Sequence, residues 1–281
     1  MPRPMPLRRL LMLTLPMLIV LVCAGPLRAA DRDRLEAFLE VTGFGVALDS
    51  LALTAADAPQ MLGMEASDFG SDWERVAGEV FDTDEMRDTA LNILSQTLSD
   101  EDLAHAAGFY ASELGQRLVE VENASHMVED DAAKRDAGEE RVADLMRAGD
   151  ERLQVLKEMN AAIDSSGIAV RAVQEVQVRF LMAASHAGVL DNALDEQALR
   201  ALLREGEDEL RIELQAGALA GAAYTYADIS TEDLKAYREA LEHPQMQRVY
   251  ELMNAVQFEI MAGRYERLAL RMADLHPGQD L

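Results

Sequence analysis

The chain of 281 residues has one cysteine, Cys23, and that residue sits in an N-terminal segment that reads as removable. The remainder offers no disulfide, no thiolate metal site and no cysteine nucleophile. Proline is almost as scarce. Five of the eight prolines lie in the first 26 residues, which leaves only Pro59, Pro244 and Pro277. A proline inside a helix costs about 3 kcal/mol, so helical chains exclude it. Hairpin signals are missing as well: there is no Asn-Gly or Asp-Gly step and no long alternating β-branched run. Lysine occurs three times against 23 arginines, and the 26 basic residues face 51 acidic ones. A formal charge of −25 argues against nucleic acid and anionic lipid as partners, because both need positive patches.

What is present begins with an address label. Arg3, Arg8 and Arg9 precede an apolar run from Leu10 to Val22, interrupted by Pro16. A spanning helix needs roughly 20 apolar residues, so this run is short for an anchor. Ala29 and Ala30 then precede Asp31, the layout of a secretory signal peptide. Arg28 at −3 makes the cleavage site imperfect, and an uncleaved anchor is the alternative. Val22 is large for the position before a lipidated cysteine, which disfavours acylation of Cys23. Cleavage near Ala30–Asp31 leaves 22 basic against 51 acidic residues. The expectation is a periplasmic or secreted protein with no stable membrane insertion after cleavage. The bias toward arginine and alanine suggests a GC-rich bacterial genome.

Alanine, leucine, glutamate, arginine and methionine at helical spacing fill the rest. The fold class expected is all-α, two related helical units packed as a bundle. The spacing predicts helices over 32–42, 46–56, 71–82, 84–98, 100–110, 113–128, 134–163, 168–186, 195–226, 231–242 and 244–273. Gly43-Phe44-Gly45 reads as a hinge, Ser165-Ser166-Gly167 as a turn and 276–281 as a tail. The expected organisation is a signal peptide (1–30), a first helical unit (31–128), a charged connecting helix (129–167) and a second unit (168–281). Within 129–163, Asp130–Lys134, Asp131–Arg135 and Arg147–Glu151 are spaced to pair along one exposed helix. Val142, Met146, Leu153, Leu156 and Ile163 supply a narrow apolar seam.

An internal repeat is the most informative pattern. Ser99-Asp-Glu-Asp-Leu103 matches Ser230-Thr-Glu-Asp-Leu234 at an offset of 131, as do Gln116-Arg117 and Gln247-Arg248. Ser99 and Ser230 are placed as N-caps with an aspartate three residues on. Leu98 with Leu103, and Ile229 with Leu234, are placed as hydrophobic staples. Each copy then restarts, one at Ser112, the other at Pro244 in the first helical position. Each copy thus reads as a helical hairpin that breaks near Ala111 or Glu242.

Ser99 to Gln116 reads SDEDLAHAAGFYASELGQ. This resembles the C-terminal signature of the domain of unknown function 2059, in which an acidic-capped helix runs into Phe-Tyr-x-Ser-x-x-Gly. Phe109, Tyr110, Ser112 and Gly115 are the matching positions and the candidate groove. The second copy carries Ala240, Leu241, His243 and Met246 there, which departs from the signature. The resemblance implies an all-helical exported protein and brings no activity.

No constellation in the sequence declares chemistry. Asp102 with His105, and Glu122 with His126, each stand one turn apart, but two residues make half a metal site. Asp82-Thr-Asp84 begins like a calcium loop and fails at Arg87 and Ile93. Met61 and Met64 have no second pair to make a copper site. Ser125-His126 and Ser185-His186 are adjacent, and neighbours on a helix do not face each other. Gly217-x-x-x-Gly221 reads as a point of close helix packing. Phe109-Tyr110 above Gly115 reads as either an aromatic filling a glycine notch or a groove. No catalytic residue, cofactor or metal ligand is assigned. The functional expectation is a non-enzymatic binding or interaction protein with an unknown protein or small-molecule partner. The alternatives are an enzyme with a dispersed carboxylate site and an acidic, chaperone-like client binder.

Overall fold

The computed structural model describes residues 31–275 apart from Ser166, Asp191 and the side chain of Asp57. The expected signal peptide and the tail at 276–281 lie outside the described residues. Those described fold as α-helices and two short 3₁₀ stretches, with no β-strand among them. The all-α expectation holds. No single described helix is long and apolar enough to cross a membrane.

Three short helices come first: α1 (Arg32–Val41), α2 (Phe44–Asp49) and α3 (Leu51–Thr54). Asp31 caps α1 by accepting from the Arg34 amide. The hinge is at Gly43, whose φ of 74° suits glycine. The 3₁₀ stretches Ala55–Leu62 and Ala66–Phe69 lead into α4 (Trp73–Val80). Then come α5 (Thr83–Thr97), α6 (Asp100–Tyr110) and α7 (Glu113–His126), followed by α8 (Asp131–Ala148) and α9 (Arg152–Ile163). The second half holds α10 (Ala169–His186), α11 (Glu196–Glu205), α12 (Glu207–Thr225), α13 (Thr231–Leu241) and α14 (Pro244–Asp274).

α14 is the spine. Its 31 residues extend about 46 Å at 1.5 Å per residue. It packs along α10 and touches α4, α5, α6 and α9. Twelve of its side chains are buried, including Met246, Met253, Ile260 and Leu268. Arg264, only 5% exposed, donates to the Val80 carbonyl at 2.9 Å and pairs with Glu85 at 2.8 Å. A buried guanidinium is tolerated only when its charge and donors are met, as here.

Both expected hairpins have the predicted caps and breaks. The Ser99 and Ser230 hydroxyls each accept from an amide three residues on at 3.1 Å. Asp102 does not complete a capping box; its carboxylate accepts from the Ser99 hydroxyl instead. Leu98, Leu103, Ile229 and Leu234 are all buried. α6 ends at Ala111 and α13 at Glu242, before Ser112 caps α7 and Pro244 opens α14. The partner helices differ in length, and the hairpins exchange equivalent ion pairs. Arg117 reaches Asp233 at 3.1 Å and Arg248 reaches Asp102 at 2.6 Å.

Three expectations need correction. The helix expected over 134–163 is two helices, because Gly149 takes a left-handed φ of 61° and ends α8. Of its three expected pairs only Asp131–Arg135 forms, at 3.5 Å. Asp130 instead caps α8, Lys134 donates to the Ser125 carbonyl, and Glu151 pairs with Lys235. The helix expected over 195–226 also breaks, at Gly206, separating α11 from α12. Finally, Gly217 and Gly221 are not the close-packing glycines: nothing lies within 4 Å of a Cβ built at either. Gly138 of α8 does that job against α12. A Cβ there would stand 2.7 Å from the carbonyl carbon of Ala220, and nearer still to its oxygen.

Candidate functional site

Four of the six tyrosines converge on one carboxyl group at the centre of the bundle. Tyr110 ends α6, Tyr226 follows α12, Tyr237 lies in α13 and Tyr250 in α14. Tyr110 and Tyr237 are fully buried and their hydroxyls lie 2.9 Å apart. Tyr250 closes the triangle, 2.8 Å from Tyr237 and in hydrogen-bond contact with Tyr110. The acceptor at the end of this network is Glu122 of α7. Tyr226 donates to its Oε1 at 2.6 Å and Tyr237 at 3.0 Å.

Both phenols land on the same oxygen. Glu122 Oε2 has no hydrogen-bond partner among the described residues, and Glu122 lines a cavity of about 320 Å³. The crowding helices withhold water from the carboxylate, which pushes its pKa up to about 7. The two phenol donors oppose that rise without cancelling it. Burial likewise raises all four tyrosine hydroxyls, and the nearby Glu122 carboxylate adds to the rise.

The cavity lies where α7, α8, α9, α12 and α14 meet the turn between α1 and α2. Phe44 forms part of its wall, edge-on to Tyr250 with ring centres 5.6 Å apart. The side-chain amides of Asn160 and Gln257 face it with no hydrogen-bond partner among the described residues. Asn123 Oδ1 is buried and unpartnered. Asn254 is anchored, donating to the Ile163 carbonyl at 3.0 Å. Lys134 and His126 line the same space. Desolvation lowers the pKa of both, and the Lys134 ammonium lowers His126 further. Lys134 donates to the Ser125 carbonyl at 2.8 Å, and no described carboxylate lies within ion-pair distance of it. Buried polar groups are ordinarily satisfied, so the unmet Asn123 Oδ1 beside this cavity is unusual.

The sequence motif serves this site from behind. None of Phe109, Tyr110, Ser112 and Gly115 lines the cavity. Ser112 caps α7 by accepting from the Gly115 amide at 3.1 Å. A Cβ on Gly115 would stand 2.5 Å from Tyr110 Cα and closer still to the Phe109 carbonyl oxygen. The notch is therefore filled by backbone, and it lets α7 start tight against the end of α6. Phe109 stacks on Tyr237 with ring centres 5.7 Å apart and planes at 9°. The motif thus sets the angle at which α7 carries Glu122 under the tyrosines.

Other features gather no such set. His105 stacks on His243 with ring centres 4.3 Å apart, and no cluster of three metal-ligating side chains exists among the described residues. A larger hollow of about 830 Å³ beside α1, α2 and α5 is lined by charged groups such as Arg32 and Arg87, which pair with Asp88 and Asp49.

Sequence reasoning marks Glu122 and His126 only for their one-turn spacing, and it misses Lys134, Tyr226, Tyr237 and Tyr250 as site residues. The one available signal is the scarcity of tyrosine, six in 281 residues, beside a motif that contains one.

The family whose model matches is described as "Uncharacterized protein conserved in bacteria (DUF2059)", over residues 84–144. That stretch runs from α5 through most of α8 and contains Tyr110, Glu122, His126 and Lys134. It does not extend to the second hairpin. No curated protein and no solved structure matches the chain. Residues 84–144, with the Phe109–Gly115 motif at their centre, are thus similar to the DUF2059 proteins of bacteria.

Proposed function

We propose that this is a non-enzymatic binding protein of the bacterial periplasm that holds a small polar molecule in its central cavity. The observation that carries the reading is Glu122 Oε2, an unpaired oxygen of a part-buried carboxyl bordering a half-open cavity of about 320 Å³. A buried polar group without a partner costs roughly 1–3 kcal/mol, and a ligand donor would remove that cost. The volume is at the small end of the range for ligand sites. The export part of the proposal rests on the Arg3–Ala30 segment. Intact-mass measurement of protein from its native host should show a chain starting near Asp31; a full-length chain in the membrane fraction would refute it.

Gly221 provides the test of the cavity. It borders the space, and a Cβ there would meet nothing within 4 Å. Gly221→Leu should therefore fold and fill the cavity. In thermal-shift measurements with a panel of small polar metabolites, at least one should raise the Tm of the wild type and leave Gly221→Leu unmoved. A panel without any such compound counts against the reading. One observation favours an enzyme instead: a carboxyl with pKa about 7 is suited to general acid–base work. Recovery of the bound compound unchanged after prolonged incubation supports the binding protein, and its conversion supports the enzyme.

A further inference from the structure

We propose that the cavity recognises a compact zwitterion, a small molecule with a protonated amine and a carboxylate, the amine at Glu122 and the carboxylate at Lys134. This deepens the binding reading above and rests on it. Glu122 Oε2 is an acceptor with no donor. Lys134 is a half-buried cation whose ammonium forms no ion pair among the described residues, with Asp131 acting on it only at longer range, in a chain with 51 acidic residues. Most other half-buried cations of the bundle have an acidic partner, Arg179 with Glu266 and Arg238 with Glu158 among them, although Arg141 and Arg152 also donate to carbonyls. Lys134 instead borders the cavity and donates to a backbone carbonyl.

The two ends are anchored within one turn of α7 and line the same cavity. Lys134 is fixed to the carbonyl of Ser125, which lies three residues beyond Glu122 on α7, about 4.5 Å of rise. His126, the next residue, lines the same space and can donate to the carboxylate beside Lys134. Asn160 and Gln257 supply free amide donors and acceptors along the wall, and Phe44 and Tyr250 supply apolar surface for a short carbon skeleton. A purely cationic ligand would satisfy Glu122 but face Lys134. A purely anionic one would have to approach a molecule of strongly negative charge. A net-neutral zwitterion meets neither obstacle.

The experiment is titration calorimetry on the purified chain with glycine, L-alanine, L-serine and 4-aminobutyrate. Each is compared with its amine-only and carboxylate-only analogues, such as butylamine and butyrate for 4-aminobutyrate. At least one zwitterion should bind at least tenfold more tightly than either of its halves. Glu122→Gln and Lys134→Met should each weaken it at least tenfold, with far-ultraviolet circular dichroism unchanged, and Gly221→Leu should abolish it. Butylamine binding as tightly as 4-aminobutyrate, or Lys134→Met without effect, would overturn the zwitterion assignment. No binding by any zwitterion would overturn it too. If neutral polar compounds then still shift the wild type and not Gly221→Leu, the cavity reading survives alone. Zwitterion binding that persists in Gly221→Leu would place the ligand elsewhere and sink both.

Discussion

Glu122 holds its proton more tightly in the folded chain than in the unfolded one, with a pKa of about 7 against the usual 4.5. The sign follows from linkage. Stability contributed by the protonated carboxyl is complete below about pH 4.5, declines between 4.5 and 7, and is gone above. Over that interval the difference amounts to about 3 kcal/mol. Glu122→Gln keeps an oxygen for Tyr226 and Tyr237 and cannot ionise. Denaturant titrations at pH 5 and pH 8 should show the wild type losing stability relative to this variant as pH rises. Parallel curves would mean that Glu122 ionises normally. Gly115 bears a different constraint. An added methyl there meets backbone rather than a movable side chain, so Gly115→Ala should cost roughly 1–3 kcal/mol or more. Because the strain falls on the α6–α7 junction, it should also disturb the near-ultraviolet signal of the tyrosines. Gly221→Ala, with open space around it, should be neutral or stabilising by comparison.

Among the elements, the hairpins allow burial and capping to be weighed against each other. Leu103 and Leu234 are 5% and 0% exposed, while Ser99 and Ser230 each satisfy one amide. Removing a buried leucine side chain costs about 2–5 kcal/mol, and losing a serine cap about 1 kcal/mol. Leu103→Ala and Leu234→Ala should therefore destabilise more than Ser99→Ala and Ser230→Ala in chemical denaturation. The reverse order would mean the leucines contribute little to the core. Caps, staples and the breaks at Ala111 and Glu242 were legible in the sequence because each is encoded within five residues. The breaks at Gly149 and Gly206 were not read, although both are glycines. At Gly149 the i,i+4 pairing of Arg147 with Glu151 argues for continuity, and the turn wins because α9 gains buried contacts through Val155, Leu156 and Met159. Glu151 is thereby freed to meet Lys235. Local spacing cannot weigh that tertiary gain.

At the scale of the whole molecule, the hairpins are tied by Arg117–Asp233 and Arg248–Asp102, each joining residues 131 apart in sequence to their counterparts. Both arginines are about half exposed, so each pair contributes at most about 1 kcal/mol. Replacing both arginines by methionine should lower stability by no more than about 2 kcal/mol, and 1 M salt should remove most of the difference. A larger, salt-insensitive loss would show that the pairs are buried in solution. The site itself was largely illegible in the sequence. Tyr226 follows α12, Tyr237 lies in α13 and Tyr250 in α14, and only the folded bundle brings them to Glu122. The Phe109–Gly115 motif pointed to the right neighbourhood, but as the support of the site and not its lining.

The single tryptophan, Trp73, is 3% exposed, lies against Phe69 at 5.4 Å, and has an indole nitrogen without a hydrogen-bond partner. It belongs to α4 and takes no part in the cavity. The molecule thus has two separate optical reporters. Indole emission should be blue-shifted in the native chain and move red only on global unfolding, indifferent to what occupies the centre. The tyrosine cluster should dominate the circular dichroism of the site between the peptide and indole bands and respond to occupancy. Selective excitation of each can tell a ligand that fills the cavity from one that merely stabilises the fold.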